Sequence, residues 1–552
     1  MVKNRCVKIV LFILISFFVG FGSSRVARSQ SLLNSYQPVV LTGAQVPDFL
    51  GYPVNEISLW VFEPASHEWK EVPFQIDQRS PSGSYFTNDD SVLDENDELV
   101  FMARDLGIAA GEMDWIPDTT GQNYSRYQIA VADPENPDLK VYGYLYRAAP
   151  KLKQPLIFLN RQTGDIYSGQ YTIGFGENGL PDKLIIPQSA GGSGQDILDR
   201  LKIHVVAEVQ GFSGPTQVRI SENSIKMQGL KFKPGPVRII RSIVFKLVVD
   251  LGPQLGEITL PDVYYFPIFF YPYSMAVQAD SIDLSEIGTL NAKILSVRYS
   301  MDLNPNAAGM KFFNPNNAAV LVDGRPDSVN RALSPGLSYQ MVTGNQGTVV
   351  SLLEVPDVGD QQKLYYCEST TGSTCDGTPD TGDGFSYGDA GFWITGTGIQ
   401  GVLKFYSTIY MLPGNQPQSE AVKLFDRAQN PFIITTAGQA SRVSVSEHPN
   451  ISRSPDRFQV FPAYPNPFYP NRSGRQTALR YFLPKPAPVE IAIYDITGKS
   501  IRHLRFLGQS AGTHTISWNG RDETGRLLPS GVYFYRIHAG RKYITQKLLL
   551  VR

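Results

Sequence analysis

Four aspartates, Asp376, Asp380, Asp383 and Asp389, alternate with Gly377, Gly382, Gly384 and Gly388 in one short stretch of the chain. Calcium takes about six to eight hard oxygen ligands, and a chain punctuated by glycine can curl around the ion, so this is the candidate calcium loop. The spacing is not that of an EF-hand, and a solvated Asp-Gly turn would carry the same residues; sequence leaves both readings open. Asp89, Asp90 and the run from Asp94 to Glu98 form a sparser second cluster. Just upstream, Cys367 and Cys375 bracket the turn-like Glu368-Ser369-Thr370-Thr371-Gly372-Ser373-Thr374. In an oxidising compartment these two are expected to pair, and closing so short a loop would contribute about 2–3 kcal/mol.

Several catalytic patterns occur only as spellings. Gly384-Phe385-Ser386-Tyr387-Gly388 has the letters of a nucleophile elbow, but Phe392-Trp393-Ile394 after it reads as a strand where the motif needs a helix. The histidines downstream, His448, His503, His514 and His538, lie in a linker or in the terminal module. Gly174 to Gly179 and Gly396 to Gly401 both spell GxGxxG, yet no helix opens after either, so both are read as turns. His67 and His204 are the only histidines of the body, which excludes a histidine-rich zinc site there. No pair of carboxylates stands out for glycoside cleavage. The run Tyr264-Tyr265-Phe266-Pro267-Ile268-Phe269-Phe270-Tyr271-Pro272-Tyr273 would either stack on sugar rings or fill a core.

The elements that must position these residues read as strands. Ile57 to Phe62 and Trp69 to Asp77 alternate apolar and polar residues across a Glu-Pro-Ala-Ser turn, as a hairpin does. Tyr127 to Ala132 and Lys140 to Tyr146 form a second pair, and Ile203 to Val209, Val237 to Val249 and Leu295 to Tyr299 continue the pattern. No helical periodicity is sustained and no repeat recurs at a fixed period. The expected organisation is a signal peptide at 1–29, an N-terminal β-domain at 30–150, a second β-rich region at 151–440, a linker at 441–457 and a terminal domain at 458–552. The fold class is all-β and multi-domain, with a large β-sandwich-like body, a linker and a C-terminal Ig-like β-sandwich.

The 552 residues, with 49 glycines, 39 prolines and 11% aromatics, agree with a turn-rich, multi-core β-protein. Lys3, Arg5 and Lys8 precede an apolar run from Ile9 to Phe21 and then small polar residues, the order of a secretory signal; no retained transmembrane helix is expected. The terminal stretch from Phe458 holds fourteen Lys and Arg against four Asp and Glu, on an acidic body. Because those basic residues are scattered singly along strands, they make a solvated face and not a nucleic-acid footprint.

The terminal stretch is the most legible. Tyr464-Pro465-Asn466-Pro467-Phe468, Ile493-Tyr494-Asp495-Ile496-Thr497-Gly498-Lys499, Ala511-Gly512-Thr513-His514, Trp518-Asn519-Gly520-Arg521-Asp522, Ser530-Gly531-Val532-Tyr533-Phe534-Tyr535-Arg536 and Lys547-Leu548-Leu549-Leu550-Val551-Arg552 follow in order. In this it resembles the type A C-terminal sorting domain of the type IX secretion system, and equally the FlgD-type Ig-like domain; Asn519 stands where the family often has Asp. The resemblance implies export through the periplasm after Sec translocation, delivery by the type IX machinery, and a cell-surface or secreted location. The body resembles no enzyme family. A binding or structural module, with a polysaccharide or a surface protein as partner, is the favoured expectation, and a secreted carbohydrate-active lyase or hydrolase is the alternative.

Overall fold

The computed structural model describes residues 35–551 apart from 64–65, 81–82, 87–88, 152–153, 212–213, 251–255, 260–263, 284–291, 334–335, 356–361, 373, 400–401, 441–457, 462, 464–465, 469, 471–475 and 541. The signal segment expected at 1–29 and the linker expected at 441–457 lie outside the described residues. The fold is all-β, built from several sheets, and divides into two compact units. One holds the chain to residue 153 together with 430–470 and 474 onward; the other holds 154–429.

In the first unit the expected hairpin forms between Ile57–Glu63 and Glu68–Glu71, with Trp60 opposite Glu71. The second arm stops there. Pro73 has no amide hydrogen to give a ladder, and beyond it Gln75–Asp77 crosses to a three-stranded sheet with Glu98–Met102 and Pro38–Thr42. An eight-stranded sheet then runs Gln459–Val460, Thr477–Leu483, Gly512–Trp518, Ile433–Gln439, Arg126–Ala132, Lys140–Arg147, Ile57–Glu63, Glu68–Glu71. Ile433–Gln439, expected at the end of the second β-rich region, is a central strand of this sheet: Thr436 is opposite Ile129 on one side and Thr515 on the other. A strand with two free edges is stable once both are paired, which moves the border from 440 to about 430 and joins the terminal domain to the N-terminal one in one sheet.

Arg126 secures that junction from the outer face. It is fully buried, its Nε donates to Gln439 Oε1 at 2.6 Å, its Nη1 donates to Tyr146 Oη at 2.8 Å, and its guanidinium lies 4.5 Å from the Trp115 ring and 4.9 Å from that of Tyr144. The terminal domain closes with a second sheet, Ser500–Gln509, Ala487–Tyr494, Gly531–Ala539 and Lys542–Leu550, over a core that includes Leu479, Ile491, Ile516, Tyr535 and Leu548. Its first and last motifs are zipped together. Phe468 is fully buried 5.6 Å from the Trp518 ring, its amide donates to Leu549 O at 2.8 Å, and Asn466 Oδ1 accepts from the Leu549 amide at 2.9 Å.

The second unit is the large sandwich. A ten-stranded sheet and a five-stranded one share a single core with a small four-stranded sheet, through residues such as Ile243, Phe270, Met411, Tyr299, Phe392 and Leu184. Within the aromatic run, Ile268, Phe269, Phe270 and Tyr271 are buried in the Tyr264–Tyr271 strand, so this part of the run is core. Gly176–Gly179 turns as expected between Thr172–Phe175 and Pro181–Ile185, whereas Gly396 and Gly398 lie within the strand Ser386–Ile399. The helix Gln418–Gln429, which buries Ala421 and Leu424, was missed. Its Ala421, Leu424, Phe425 and Ala428 recur at the i, i+3, i+4, i+7 spacing of one helix face, so the signal was present in the sequence.

Candidate functional site

The five-stranded sheet is ordered Gly214–Ile220, Leu198–Gly211, Ala292–Leu303, Ser386–Ile399, Gln362–Ser369. Alternation sends Leu201, Tyr299, Met301, Phe392 and Leu364 into the sandwich core. The opposite face therefore receives Lys202 and His204 from one strand, Arg298 and Asp302 from the next, Asp389 from the third and Tyr365 from the edge. Register makes them neighbours, since Lys202 is opposite Ser300, His204 opposite Arg298, and Arg298 opposite Trp393. Instead of facing water, this charged face is covered by the segment that follows the edge strand. Cys367 on the strand is disulfide-bonded to Cys375 on the cover, with 5.5 Å between their Cα atoms. The cover reaches the sheet closely because Gly382 has no side chain: a Cβ there would stand 1.8 Å from Asp199 Oδ2.

The result is a sealed layer of charge. Lys202 Nζ donates to both Asp302 Oδ2 and Asp380 Oδ1, and none of the three side chains is more than 4% exposed. Arg298 Nη1 donates to Tyr365 Oη and lies 3.3 Å from Asp376 Oδ2, while its Nη2 lies 2.8 Å from His204 Nδ1. The same Nη2 is 3.1 Å from Nε2, and the imidazole also meets Thr378 Oγ1 at 2.9 Å through Nδ1 and Thr381 Oγ1 at 3.3 Å and Glu222 Oε2 at 3.5 Å through Nε2. Asp376 Oδ1 accepts from the Thr374 and Thr378 hydroxyls, each at 2.6 Å. Neither oxygen of Asp389 has a hydrogen-bond partner among the described residues; its charge is met by Arg298 Nη1 at 3.9 Å.

Ionisation follows from that packing. Burial would pull Lys202 down, but Asp389 and Asp302, with hydrogen bonds to Asp302 and Asp380, hold it above its ordinary value. Arg298 is likewise depressed by burial, and Asp389, Tyr365, Asp376 and Glu222 outweigh that. Burial, reinforced by Asp389, drives Asp302 well above the usual carboxylate range against the pull of Lys202. Asp376 and Asp380 also suffer from burial, yet Arg298 with its threonine partners, and Lys202 with the Gly382 and Gly384 amides, bring them below it. Burial and then Arg298 push His204 down to about 3, so at neutral pH it carries no charge.

Three of the four aspartates read as calcium ligands, Asp376, Asp380 and Asp389, are thus brought to one place, where they face Lys202 and Arg298. Asp383 is exposed and accepts from the Phe385 amide at 2.9 Å. Among the described residues no group of three or more His, Cys, Asp or Glu side chains is arranged to hold a metal ion. Ser386, the serine of the elbow spelling, is a buried strand residue. The sequence reading missed Lys202, Arg298, Asp302 and Glu222, because a charge alternating with apolar residues in a strand reads as a solvated face. The signal available was the excess of acid in the loop, which needs cations wherever it is buried. Chemically the layer crosslinks three strands to their cover; its neutral histidine has both ring nitrogens engaged and faces no open space.

The chain matches no curated protein sequence. Among solved structures it is similar to an α-mannosidase from Enterococcus faecalis, with 9% identity over 87% of this chain and 54% of that one at a TM-score of 0.39. It is similar also to a glycosyl hydrolase family 38 protein from the same organism, with 8% identity over 88% and 56% at 0.38. The chain spans about half the length of these two. PorZ, a surface component of the type-IX secretion system of Porphyromonas gingivalis, follows with 13% identity over 74% and 58% at 0.14. TM-scores this low establish no common fold. The terminal segment is more definite: residues 469–542 match the family model of the FlgD Ig-like domain.

Proposed function

We propose that this is an exported protein of the cell surface or its surroundings, addressed by its C-terminal Ig-like domain to the type IX secretion machinery, with a body that binds or supports and does not catalyse. The observation that carries the non-catalytic reading is the sealed layer. The densest meeting of titratable groups described above is internal, its charges are spent on one another, and its histidine is neutral and enclosed. A catalytic base needs access to a substrate proton, and this layer gives none. The Cys367–Cys375 bridge supports an extracytoplasmic destination, where disulfides persist. The ordered motifs of the terminal domain support the sorting assignment, and their closure through Phe468 and Leu549 makes beginning and end parts of one folded domain.

The test uses the full chain, produced in a bacterium that has the type IX machinery and in an isogenic strain lacking its outer-membrane translocon. Surface or culture-fluid delivery in the first and periplasmic accumulation in the second is the expected outcome. Equal delivery in both strains removes the sorting assignment. Release of new reducing or unsaturated ends from a polysaccharide panel by the purified chain removes the non-catalytic reading in favour of a lyase or hydrolase.

A further inference from the structure

On the second unit, away from the sealed layer, a cleft of about 350 Å³ opens where two turns meet. One is the hairpin turn between Leu337–Gly344 and Gly347–Glu354, which carries Asn345 and Gln346; the other follows Val402–Leu412 and carries Asn415 and Gln416. Phe313, half-buried, forms part of the wall, and Lys311 is the one charged lining residue. Three of the four side-chain amides are anchored. Asn415 Nδ2 donates to Asn345 Oδ1 at 2.8 Å, the Asn415 amide donates to Gly344 O at 2.9 Å, and Gln346 Nε2 donates to Asn306 O and Ala308 O, each at 2.9 Å. This leaves Asn345 Nδ2, Asn415 Oδ1 and the Gln416 side-chain amide without a partner among the described residues.

We propose that this cleft is a binding subsite for a neutral saccharide, a short stretch of a polysaccharide chain; the inference rests on the reading of the body as a binding module. A carboxamide sets a donor and an acceptor side by side, the complement of two vicinal hydroxyls, and several of them fixed around one hollow suit a ligand dense in hydroxyl groups. The Phe313 ring supplies an apolar surface for the C–H face of a pyranose. An anionic ligand would call for more than Lys311, and an apolar one would leave the free amide groups unpaired.

Affinity electrophoresis of the full chain through gels holding mannan, laminarin or xylan, with polygalacturonate as the charged comparison, tests this. Retardation by at least one neutral polymer is expected, weakened about tenfold or more by Asn345→Ala combined with Gln416→Ala. Phe313→Ala should act in the same direction. The double amide variant lies in surface turns, and an unchanged melt shows that it folds. Wild-type retention in that variant overturns the cleft while leaving a binding body elsewhere. Retardation by polygalacturonate alone, lost on Lys311→Gln, overturns the neutral class. No retardation by any neutral polymer removes the subsite, and translocon dependence still decides export independently.

Discussion

Replacing Lys202 by Met keeps an unbranched side chain, one atom shorter, and removes its charge, so the loss is mainly electrostatic. Asp302 and Asp380 each lose their partner inside a layer from which water is excluded. Removing one member of a buried pair costs about 3–5 kcal/mol. Asp302 can relieve part of this by holding a proton, since burial already raises it. Asp380 keeps the amides of Gly382 and Gly384, at 2.8 and 3.2 Å. The lower end of the range, about 3 kcal/mol, is therefore expected at neutral pH. Hydrogen exchange by mass spectrometry on the full chain localises the effect. Peptides spanning 198–211, 292–303 and 386–399 should lose at least about a hundredfold of protection, at about tenfold for each 1.4 kcal/mol, while those of the first unit keep theirs. Adding Asp302→Leu should recover part of the loss, because an apolar replacement of a buried pair is close to neutral. Lys202 is protonated in both states throughout the acid range, so its own titration adds nothing there; acidification instead protonates the orphaned carboxylates, and the penalty should shrink. A variant within about 1 kcal/mol of wild type in these peptides would refute the account, showing that the layer's charges do not hold the cover to the sheet.

Four further outcomes are open to measurement. His204 binds its proton only near pH 3 when folded and near 6.5 when unfolded, so its stability contribution is complete above 6.5 and is lost as pH falls toward 3. Urea titrations should show wild type losing stability across that window more steeply than His204→Gln, by up to about 1.4 kcal/mol per pH unit; parallel curves would refute the neutral-imidazole assignment. Replacing Cys367 and Cys375 together by Ser should cost about 2–3 kcal/mol in the same titration, with exchange rising first in 368–385. Phe468→Ala, which empties a fully buried site against Trp518, should destabilise the terminal domain by about 3–5 kcal/mol by denaturant titration followed at that tryptophan. Excess calcium should leave the melting temperature unchanged if Lys202 and Arg298 satisfy the aspartates; a rise reversed by chelator would restore the calcium loop read from sequence.

From the sequence alone come the all-β class, many of the strands and the terminal Ig-like domain. Each of these rests on short-range chemistry: alternation with period two, Asp-Gly and Asn-Gly turns, and motifs such as Trp518-Asn519-Gly520 whose residues act within a few positions of one another. It also marked the Asp376–Asp389 loop as unusual and placed the two cysteines beside it. Only the tertiary structure decided what those aspartates face, because Lys202 and Arg298 lie on strands distant in sequence and meet the loop through register and a covering segment. The same holds for Ile433–Gln439, whose local pattern says strand but not which sheet. Its partners, Arg126–Ala132 and Gly512–Trp518, come from opposite ends of the chain, and unpaired backbone edges, which no local pattern encodes, bring them together.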